Sequence, residues 1–165
     1  MKKILVPTDF TGKSMDVLSD YLLQKRQQEV EVLFFNGIKL SDSITDLLLL
    51  SRRTKEIEMV PKSFESYCKC IQEEFNMVKK VQFEFFYGNT MALFRNFLLA
   101  NQIDEIVYDP QLKLTKLSKS SLDLVDIIKR CRWEKWMPLN MSDKKTNLKE
   151  QDAFSIKVEE EAIWS

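Results

Sequence analysis

Short apolar runs alternate along the chain with stretches in which apolar residues recur at helical spacing. Five runs have the character of strands, at residues 4–6, 30–36, 81–88, 104–109 and 133–141. The spacing predicts helices between them, at residues 12–25, 44–50, 63–75, 91–98 and 124–131. Strands that alternate with helices in this way predict a three-layer, doubly wound α/β sandwich. No other feature of the sequence limits the fold as strongly.

Two of the strand-like runs have the features of sheet edges. Apolar residues alternate with Gln82 and Glu84 in the third run, which is typical of a strand covered on one face only. In the last run, Pro138 has no amide hydrogen, and this restricts a strand at that position to an edge. The sequence therefore predicts that the third and the last strands are the outer strands of the sheet.

The folded domain is predicted to span residues 1–141, followed by a C-terminal tail at residues 142–165. From Ser142 onward the sequence is polar and charged, without a clear period. Phe154, Ile156 and Val158 alternate briefly, so two alternatives stay open for this segment. One is an added strand, and the other, which is favoured, is a disordered tail.

The charge balance and the absence of histidine exclude several classes of function. Lysine plus arginine and aspartate plus glutamate number 25 each, so there is no net positive field that would attract nucleic acid or anionic lipid. Without histidine, the Ser/His and Cys/His nucleophile arrangements and most common zinc sites are excluded. We therefore expect neither a nucleic-acid partner nor a membrane partner.

The N-terminus and the cysteines predict a protein of the reducing cytoplasm. The three apolar residues after Lys2 and Lys3 are too few for a signal peptide, and the longest apolar stretch is too short to span a bilayer. Cys68, Cys70 and Cys131 form an odd set without a disulfide framework. The Cys-x-Cys spacing lies in a predicted helix, where residues two apart point in different directions, so packing is favoured over metal binding.

Asp9 lies where the first strand reaches the carboxyl edge of the predicted sheet. In doubly wound folds, ligands bind at this edge, at the point where the winding reverses. The carboxylate has two interpretations of about equal weight. It is either a contact to a ribose or a metal ion, or a cap or turn acid before the following helix.

Two stretches resemble universal stress proteins, KKILVPTDFTGKSMDVLSDY at residues 2–21 and YGNTMALFRNFLLANQIDEIVYD at residues 87–109. The first is similar to that family's opening, in which a strand ends in a Pro-Thr-Asp-like triplet. The resemblance implies an adenine-nucleotide alpha-hydrolase-like fold with a five-stranded parallel sheet in the order 3-2-1-4-5, usually dimeric. Some members bind ATP or AMP at the switch point, which would make Thr8, Asp9 and Asn36 contacts to the nucleoside.

The family's phosphate-binding loop is altered in this chain. The family pattern is Gly-x-x-Gly, nine residues, then Gly-Ser or Gly-Thr, directly after the fourth strand. Here Asp109 and Leu112 stand at the first two glycine positions, and the final pair falls on residues 122–123 or, with a small gap, on Ser120 and Ser121. Close approach of the backbone to phosphates requires glycine, and Asp109 adds a negative charge. The resemblance therefore implies that ATP binding is lost or altered.

Two alternative functions stay open. Lys113, Lys116 and Lys119 recur every three residues and form a candidate anion patch for a rebuilt ATP or AMP site with Mg, although a solvated face is the default. Asp9 and Asp109 resemble a two-carboxylate cation site, which would suit a metal-assisted phosphate hydrolase. Because no nucleophile or base is visible, we favour two unrelated loop acids and expect no enzyme activity, no metal and no cofactor.

The last predicted strand supplies the candidate dimer interface, which comprises Trp133, Trp136, Met137 and Leu139. Tryptophan is enriched at interface hot spots, an unpaired sheet edge invites a partner, and the resemblance implies dimerisation through this strand. For the two tryptophans, a role in a dimer interface and simple packing within the chain are interpretations of about equal weight. Together with the resemblance to universal stress proteins, the sequence implies a cytoplasmic, non-catalytic regulatory or interaction module of the stress response, a homodimer with an unidentified protein partner.

Overall fold

The computed structural model describes residues 1–39, 60–117 and 121–138. In chain order, the elements are β1 (Lys2–Pro7), α1 (Lys13–Gln24), β2 (Val30–Ile38), α2 (Lys62–Glu74), β3 (Val78–Tyr87), α3 (Met91–Ala100), β4 (Glu105–Val107), α4 (Leu124–Arg130) and β5 (Lys135–Trp136). The helix predicted at residues 44–50 and the tail predicted from residue 142 lie outside the described residues. Within the described ranges, no helix is long and apolar enough to cross a bilayer.

The five strands form one parallel sheet in the order β3-β2-β1-β4-β5. This confirms the predicted fold class and strand order, with β3 and β5 at the edges. The chain moves outward from β1 to β2 and β3, and then returns to the other side of β1 for β4 and β5. The carboxyl ends of β1 and β4 therefore border the crevice in which doubly wound folds bind ligands.

The residues of β1 alternate between two apolar layers, one on each face of the sheet. Ile4 and Val6 belong to the layer that contains the buried residues of α1 and α2. Leu5 belongs to the opposite layer, with the buried residues of α3 and α4. A strand covered on both faces has to be continuously apolar, which explains why residues 4–6 carry no polar side chain.

All three cysteines are free thiols. In α2, Cys68 is buried whereas Cys70 is exposed, so their side chains point in different directions, as the helical spacing predicts. Burial raises the pKa of the Cys68 thiol to about 12, with a smaller contribution from Glu65. Cys68 is therefore a packing residue that stays protonated at neutral pH.

A buried polar contact ties β1, α1 and β4 together near the amino ends of the strands. The Tyr21 hydroxyl donates to Glu105 Oε2 over 2.9 Å, and Lys2 Nζ lies 2.9 Å from the same oxygen. The Tyr21 ring also packs edge-on against Trp136, with centroids 5.4 Å apart. Burial and the Glu105 carboxylate raise the pKa of Tyr21.

We expect the substitution Tyr21→Phe to lower the free energy of unfolding by about 1.5–3 kcal/mol, because it removes a hydrogen bond to a charged group. Tyr21 stays protonated in the folded protein at pH values at which it ionises in the unfolded chain. Its contribution is therefore complete below its ordinary pKa of 10.0 and is lost as the pH rises above that value.

Urea denaturation between pH 7 and the alkaline range measures both effects. Tyr67→Phe is the matched control, because the Tyr67 side chain is 47% exposed. Equal stability of the two variants, or an unchanged alkaline slope in Tyr21→Phe, would contradict the prediction.

Candidate functional site

The predicted nucleoside contacts lie together at the carboxyl ends of β1 and β2. Thr8 and Asp9 directly follow β1, and Asn36 is in the last part of β2. All three side chains are buried. The Thr8 amide donates to the Phe35 carbonyl over 3.0 Å, which continues the pairing of the two strands beyond Pro7.

The Thr8 side chain organises the turn from β1 to α1. Its hydroxyl shares a 2.8 Å hydrogen bond with the Ser14 hydroxyl and accepts the Phe10 amide over 2.9 Å. Thr8 and Ser14 are both fully buried. The hydroxyl of Thr8 is therefore engaged within the chain itself.

Both carboxylate oxygens of Asp9 accept hydrogen bonds from the protein. Oδ1 accepts the Thr11 amide over 3.1 Å and also the Thr11 hydroxyl. Oδ2 accepts the Thr115 amide over 2.8 Å and lies 3.9 Å from Lys13 Nζ. Asp9 is not the N-cap of α1, which is Gly12, but the bond from the Thr11 amide, two residues further on, makes Asp9 a turn acid, as the second interpretation predicts. Asp9 also joins the turn after β1 to the loop after β4, an arrangement that we call the Asp9 clamp.

The Asp9 clamp keeps its carboxylate ionised. Burial is the largest single influence and favours the neutral acid, but the hydrogen bonds from Thr11 and Thr115 and the charge of Lys13 together outweigh it. The pKa of Asp9 therefore lies below its ordinary value of 3.8. At neutral pH the clamp consists of charge-assisted hydrogen bonds, which are stronger than bonds between neutral groups.

Phe10 adopts a left-handed backbone conformation next to Asp9, with φ of 61°. Such a conformation costs on the order of 1–3 kcal/mol in a residue other than glycine. The Phe10 ring is buried against Phe64 and Phe85, with centroid distances of 5.4 and 5.8 Å. This packing offsets the strain and fixes the direction in which the Asp9 carboxylate points.

The loop after β4 is held onto the sheet by further contacts. Lys13 Nζ donates to the Lys113 carbonyl over 3.0 Å. Leu112 packs against the apolar layer that contains α1 and α2, whereas Leu114 packs against the layer that contains α3 and α4. Leu112, which stands at the second glycine position of the family pattern, thus anchors the loop to the layer that contains α1 and α2.

The two acids of the candidate cation site belong to separate turns. Asp109 Oδ1 accepts the Gln111 amide over 2.9 Å, and the Leu112 amide donates to the Asp109 carbonyl over 3.1 Å. Asp9 is engaged in its own clamp. Among the described residues, no group of three or more His, Cys, Asp or Glu side chains is placed to hold a metal ion.

The segment before α4 crosses the carboxyl end of β2. Ser121 forms an antiparallel bridge with Ile38, and the Leu122 amide donates to the Gly37 carbonyl over 2.9 Å. A Cβ atom on Gly37 would lie 2.8 Å from side-chain atoms of both Leu122 and Leu124. Gly37 is therefore required for this crossing, a role that sequence reasoning missed although the glycine at the end of a strand was a visible signal.

The predicted phosphate contacts before α4 have other partners where they are described. Ser121 is buried in the bridge to β2, and the N-cap of α4 is Asp123, whose side chain accepts the Asp126 amide over 3.1 Å. Ser120 lies outside the described residues. The helix begins at Leu124, which agrees with the predicted span of residues 124–131.

A cavity of about 570 Å³ remains between the loop after β4 and the start of α4. Its wall includes Asn36, and Lys113 and Lys116 of the predicted anion patch also line it. Lys119 lies outside the described residues. We call this space the switch-point cavity.

Of the candidate dimer-interface residues, both tryptophans make contacts within the chain. Trp133 Nε1 donates to the Ile103 carbonyl over 3.2 Å, and Trp136 Nε1 donates to Gln24 Oε1 over 3.2 Å. Met137 is 48% exposed next to the β5 edge, and Leu139 lies outside the described residues. Dimerisation through this edge stays a prediction.

The sequence matches no known family and none of the curated proteins at a significant level. Solved structures do resemble the chain. The hypothetical protein MJ0577, the subject of a structure-based assignment of biochemical function, is 22% identical with a TM-score of 0.51. The universal stress protein UspA from Lactobacillus plantarum is 12% identical with a TM-score of 0.51. Each match covers 84% of this chain and 97% of the other, which confirms the predicted resemblance at the level of the fold.

We expect Asp9→Asn to lower the free energy of unfolding by about 2–4 kcal/mol, because an amide nitrogen would face one of the donors that the carboxylate now accepts. The native pKa of Asp9 lies below its unfolded value. The stabilisation is therefore present above the unfolded pKa of 3.8 and is lost as the pH falls through the native pKa.

Urea denaturation at several pH values from 7 down to the acid range tests this prediction. The variant should lose less stability on acidification than the original chain, because it no longer has the contribution of the ionised Asp9 carboxylate to the free energy of unfolding. Asp16→Asn, a change of an exposed acid in the first turn of α1, should alter stability by less than about 0.5 kcal/mol. Parallel acid profiles for the original chain and Asp9→Asn would refute the clamp.

The crossing over β2 predicts that Gly37→Ala destabilises the fold by about 1–3 kcal/mol through overpacking against Leu122 and Leu124. Gly12→Ala is the matched control, since a Cβ atom there meets nothing within 4 Å. Thermal and urea denaturation measure both variants. A second substitution, Leu122→Ala, should recover part of the loss in Gly37→Ala, and no recovery would argue against the contact.

Proposed function

We propose that this chain, which has the fold of universal stress proteins, is a non-catalytic regulatory or interaction module of the stress response in which the ATP binding of that family is lost or altered. We further propose that it acts in the cytoplasm as a homodimer formed through the last strand.

The Asp9 clamp is the observation that carries the first part. A nucleoside contact at this position needs an accessible carboxylate, but the Asp9 side chain is fully buried and accepts hydrogen bonds from Thr11 and Thr115. A ligand that took these oxygens would leave the Thr115 amide without its partner in a part-buried place. Removing a partner from a polar group that stays buried costs about 1–3 kcal/mol, so the internal bonds compete directly with any nucleoside.

The loop after β4 supports the same conclusion. Its leucines pack into the two apolar layers of the sandwich, and Asp109 caps a turn of its own. A triphosphate needs several backbone amides that converge on it. This loop instead commits the Thr115 amide to Asp9 and the Gln111 amide to Asp109, which favours a module without the family's phosphate cradle.

One observation favours a second candidate, an adenine-nucleotide sensor with a rebuilt phosphate site. Lys113, Lys116 and Lys129 all line the switch-point cavity, and lysine is a common phosphate ligand. In this case side-chain cations would replace the backbone amides of the family's loop. The sensor should bind ATP, whereas the interaction module should not.

We expect isothermal titration of the full chain with Mg-ATP to give no saturable binding in the micromolar range, because the clamp engages Asp9 and the loop after β4 lacks the family's glycines. The same titration with Asp9→Ala is the matched measurement. Micromolar binding that Asp9→Ala abolishes would overturn the proposal. Micromolar binding that depends on Lys113 and Lys116, but not on Asp9, would favour the sensor.

We expect the chain to sediment as a dimer in analytical ultracentrifugation, and the substitution Met137→Asp to shift it toward monomer. A charge at an apolar contact beside β5 would be desolvated without a partner, which is unfavourable. Leu99→Asp is the control, since Leu99 is an exposed apolar residue on α3, 60% accessible. A monomeric original chain, or equal effects of the two substitutions, would remove the dimer from the proposal.

A further inference from the structure

We propose that the outer edge of β3 binds a second copy of this chain, whose own β3 adds in antiparallel orientation with Gln82 on the two-fold axis. We call this arrangement the β3 contact. It lies at the opposite edge of the sheet from β5, so it goes beyond the proposed function and does not replace the proposed dimer. The occupant is a second copy because the side chains of this strand are complementary to themselves in one register.

β3 is the longest strand among the described residues, and there it has a neighbouring strand on one side only. It runs over ten residues, Val78–Tyr87, and pairs with β2 alone. The other edge strand, β5, comprises two residues. The only register shift between β2 and β3 lies before Lys80, so the edge is regular from there to its end. The backbone amides and carbonyls of such an edge can pair with another strand.

The side chains of β3 form an apolar row on one face of the sheet and a polar row on the other. The apolar row packs against the layer that contains α1 and α2 and is only partly buried; it consists of Val81, Phe83 and Phe85. The polar row alternates with it and consists of Lys80, Gln82 and Glu84. A strand added at this edge would cover part of the surface that the apolar row still exposes.

The charges of the polar row distinguish between the possible registers. Side chains directly opposite each other in an antiparallel pair interact, and like charges in these places are unfavourable. A register centred on Lys80 or on Glu84 places like charges opposite each other at the axis. A register centred on Val81 or Phe83 leaves both charges without an opposite charge across the contact.

The register centred on Gln82 satisfies both rows. It places Lys80 of each copy opposite Glu84 of the other, and Val81 of each copy opposite Phe83 of the other. Two ion pairs and two apolar pairs therefore form at once around the axis. Since the side chains repeat with a period of two, a slip of one residue would set the apolar row of one copy against the polar row of the other.

Lys80 and Glu84 are available for these pairs. Both side chains are exposed, and neither belongs to an ion pair within the part of the chain that the structure describes. Exposed ion pairs contribute little affinity, so the charges select the register, whereas backbone hydrogen bonds and the apolar pairs supply the attraction. A contact of this small size belongs to the weak interfaces and adds to a β5 dimer only at high protein concentration.

A disulfide trap at the axis tests the β3 contact on the full chain, with the exposed Cys70 changed to serine. Gln82→Cys places two thiols opposite each other. Asn89→Cys is the matched control, since it is exposed and its two copies would lie more than about 30 Å apart, beyond the reach of a disulfide. We expect the Gln82→Cys chain to cross-link about tenfold or more faster, because the contact raises the effective concentration of its thiols alone.

Charge reversal in the Gln82→Cys chain identifies the register. Lys80→Glu sets carboxylates opposite each other, and Glu84→Lys sets ammonium groups opposite each other. Each reversal alone should slow cross-linking by about fivefold or more. An equimolar mixture of the two reversed chains should cross-link at about the original rate, because every opposing pair in the mixed dimer again carries opposite charges. Both side chains are exposed, so the reversals should leave the fold intact, which circular dichroism verifies.

The outcomes separate this inference from the proposed function. Equal cross-linking of Gln82→Cys and Asn89→Cys, or a mixture of reversed chains that reacts no faster than either chain alone, would overturn the inference and leave the proposed function standing. Met137→Asp, which acts at β5, should leave cross-linking at position 82 unchanged, and its loss there would overturn the β3 contact as a separate interface. A chain that is monomeric in the sedimentation test but cross-links at position 82 would remove the β5 dimer and support the β3 contact.

Discussion

The charge of Asp9 at the end of β1 is the constraint on which the architecture of the crevice depends. A buried carboxylate is tolerated only when it is paired or hydrogen-bonded, and here its partners come from two segments that are distant in sequence, the turn before α1 and the loop after β4. The loop therefore has to stay where its amide can reach Asp9. This requirement sets the position of Leu112 and Leu114, which form part of the wall of the cavity that remains.

In this chain, an acid at a strand end and a glycine near the crevice make contacts within the protein, whereas such residues can contact a ligand in other proteins with this kind of fold. An acid at a strand end accepts hydrogen bonds from the protein, and a glycine allows one backbone segment to approach another closely. Gly37 allows Leu122 to cross the end of β2, which is a different use of glycine from the cradling of phosphates. Because these contacts are internal, they stabilise one closed arrangement of the crevice and oppose any ligand that needs the same atoms.

The sequence predicted the sheet well and the crevice only in part, for a physical reason. Strand and helix order follow from the local period of apolar residues, and the edge position of β3 follows from its alternation, so both are visible within a few residues. The bond between Asp9 and the Thr115 amide joins residues 106 positions apart, and no local pattern reports it. The start of α4 at Leu124 agrees with the predicted helix at residues 124–131, whereas the identity of its N-cap, Asp123, does not follow from the sequence because Ser and Asp are both good caps.

Among the described residues, the polar side chains of the crevice are paired within the chain, with one exception. The crevice has few free polar side chains, because those of Thr8, Asp9 and Asp109 are hydrogen-bonded within the chain. Asn36 Oδ1 differs, since its own amide nitrogen is bound while the oxygen is buried without a partner among the described residues. An acceptor that is buried without a partner destabilises the fold by about 1–3 kcal/mol.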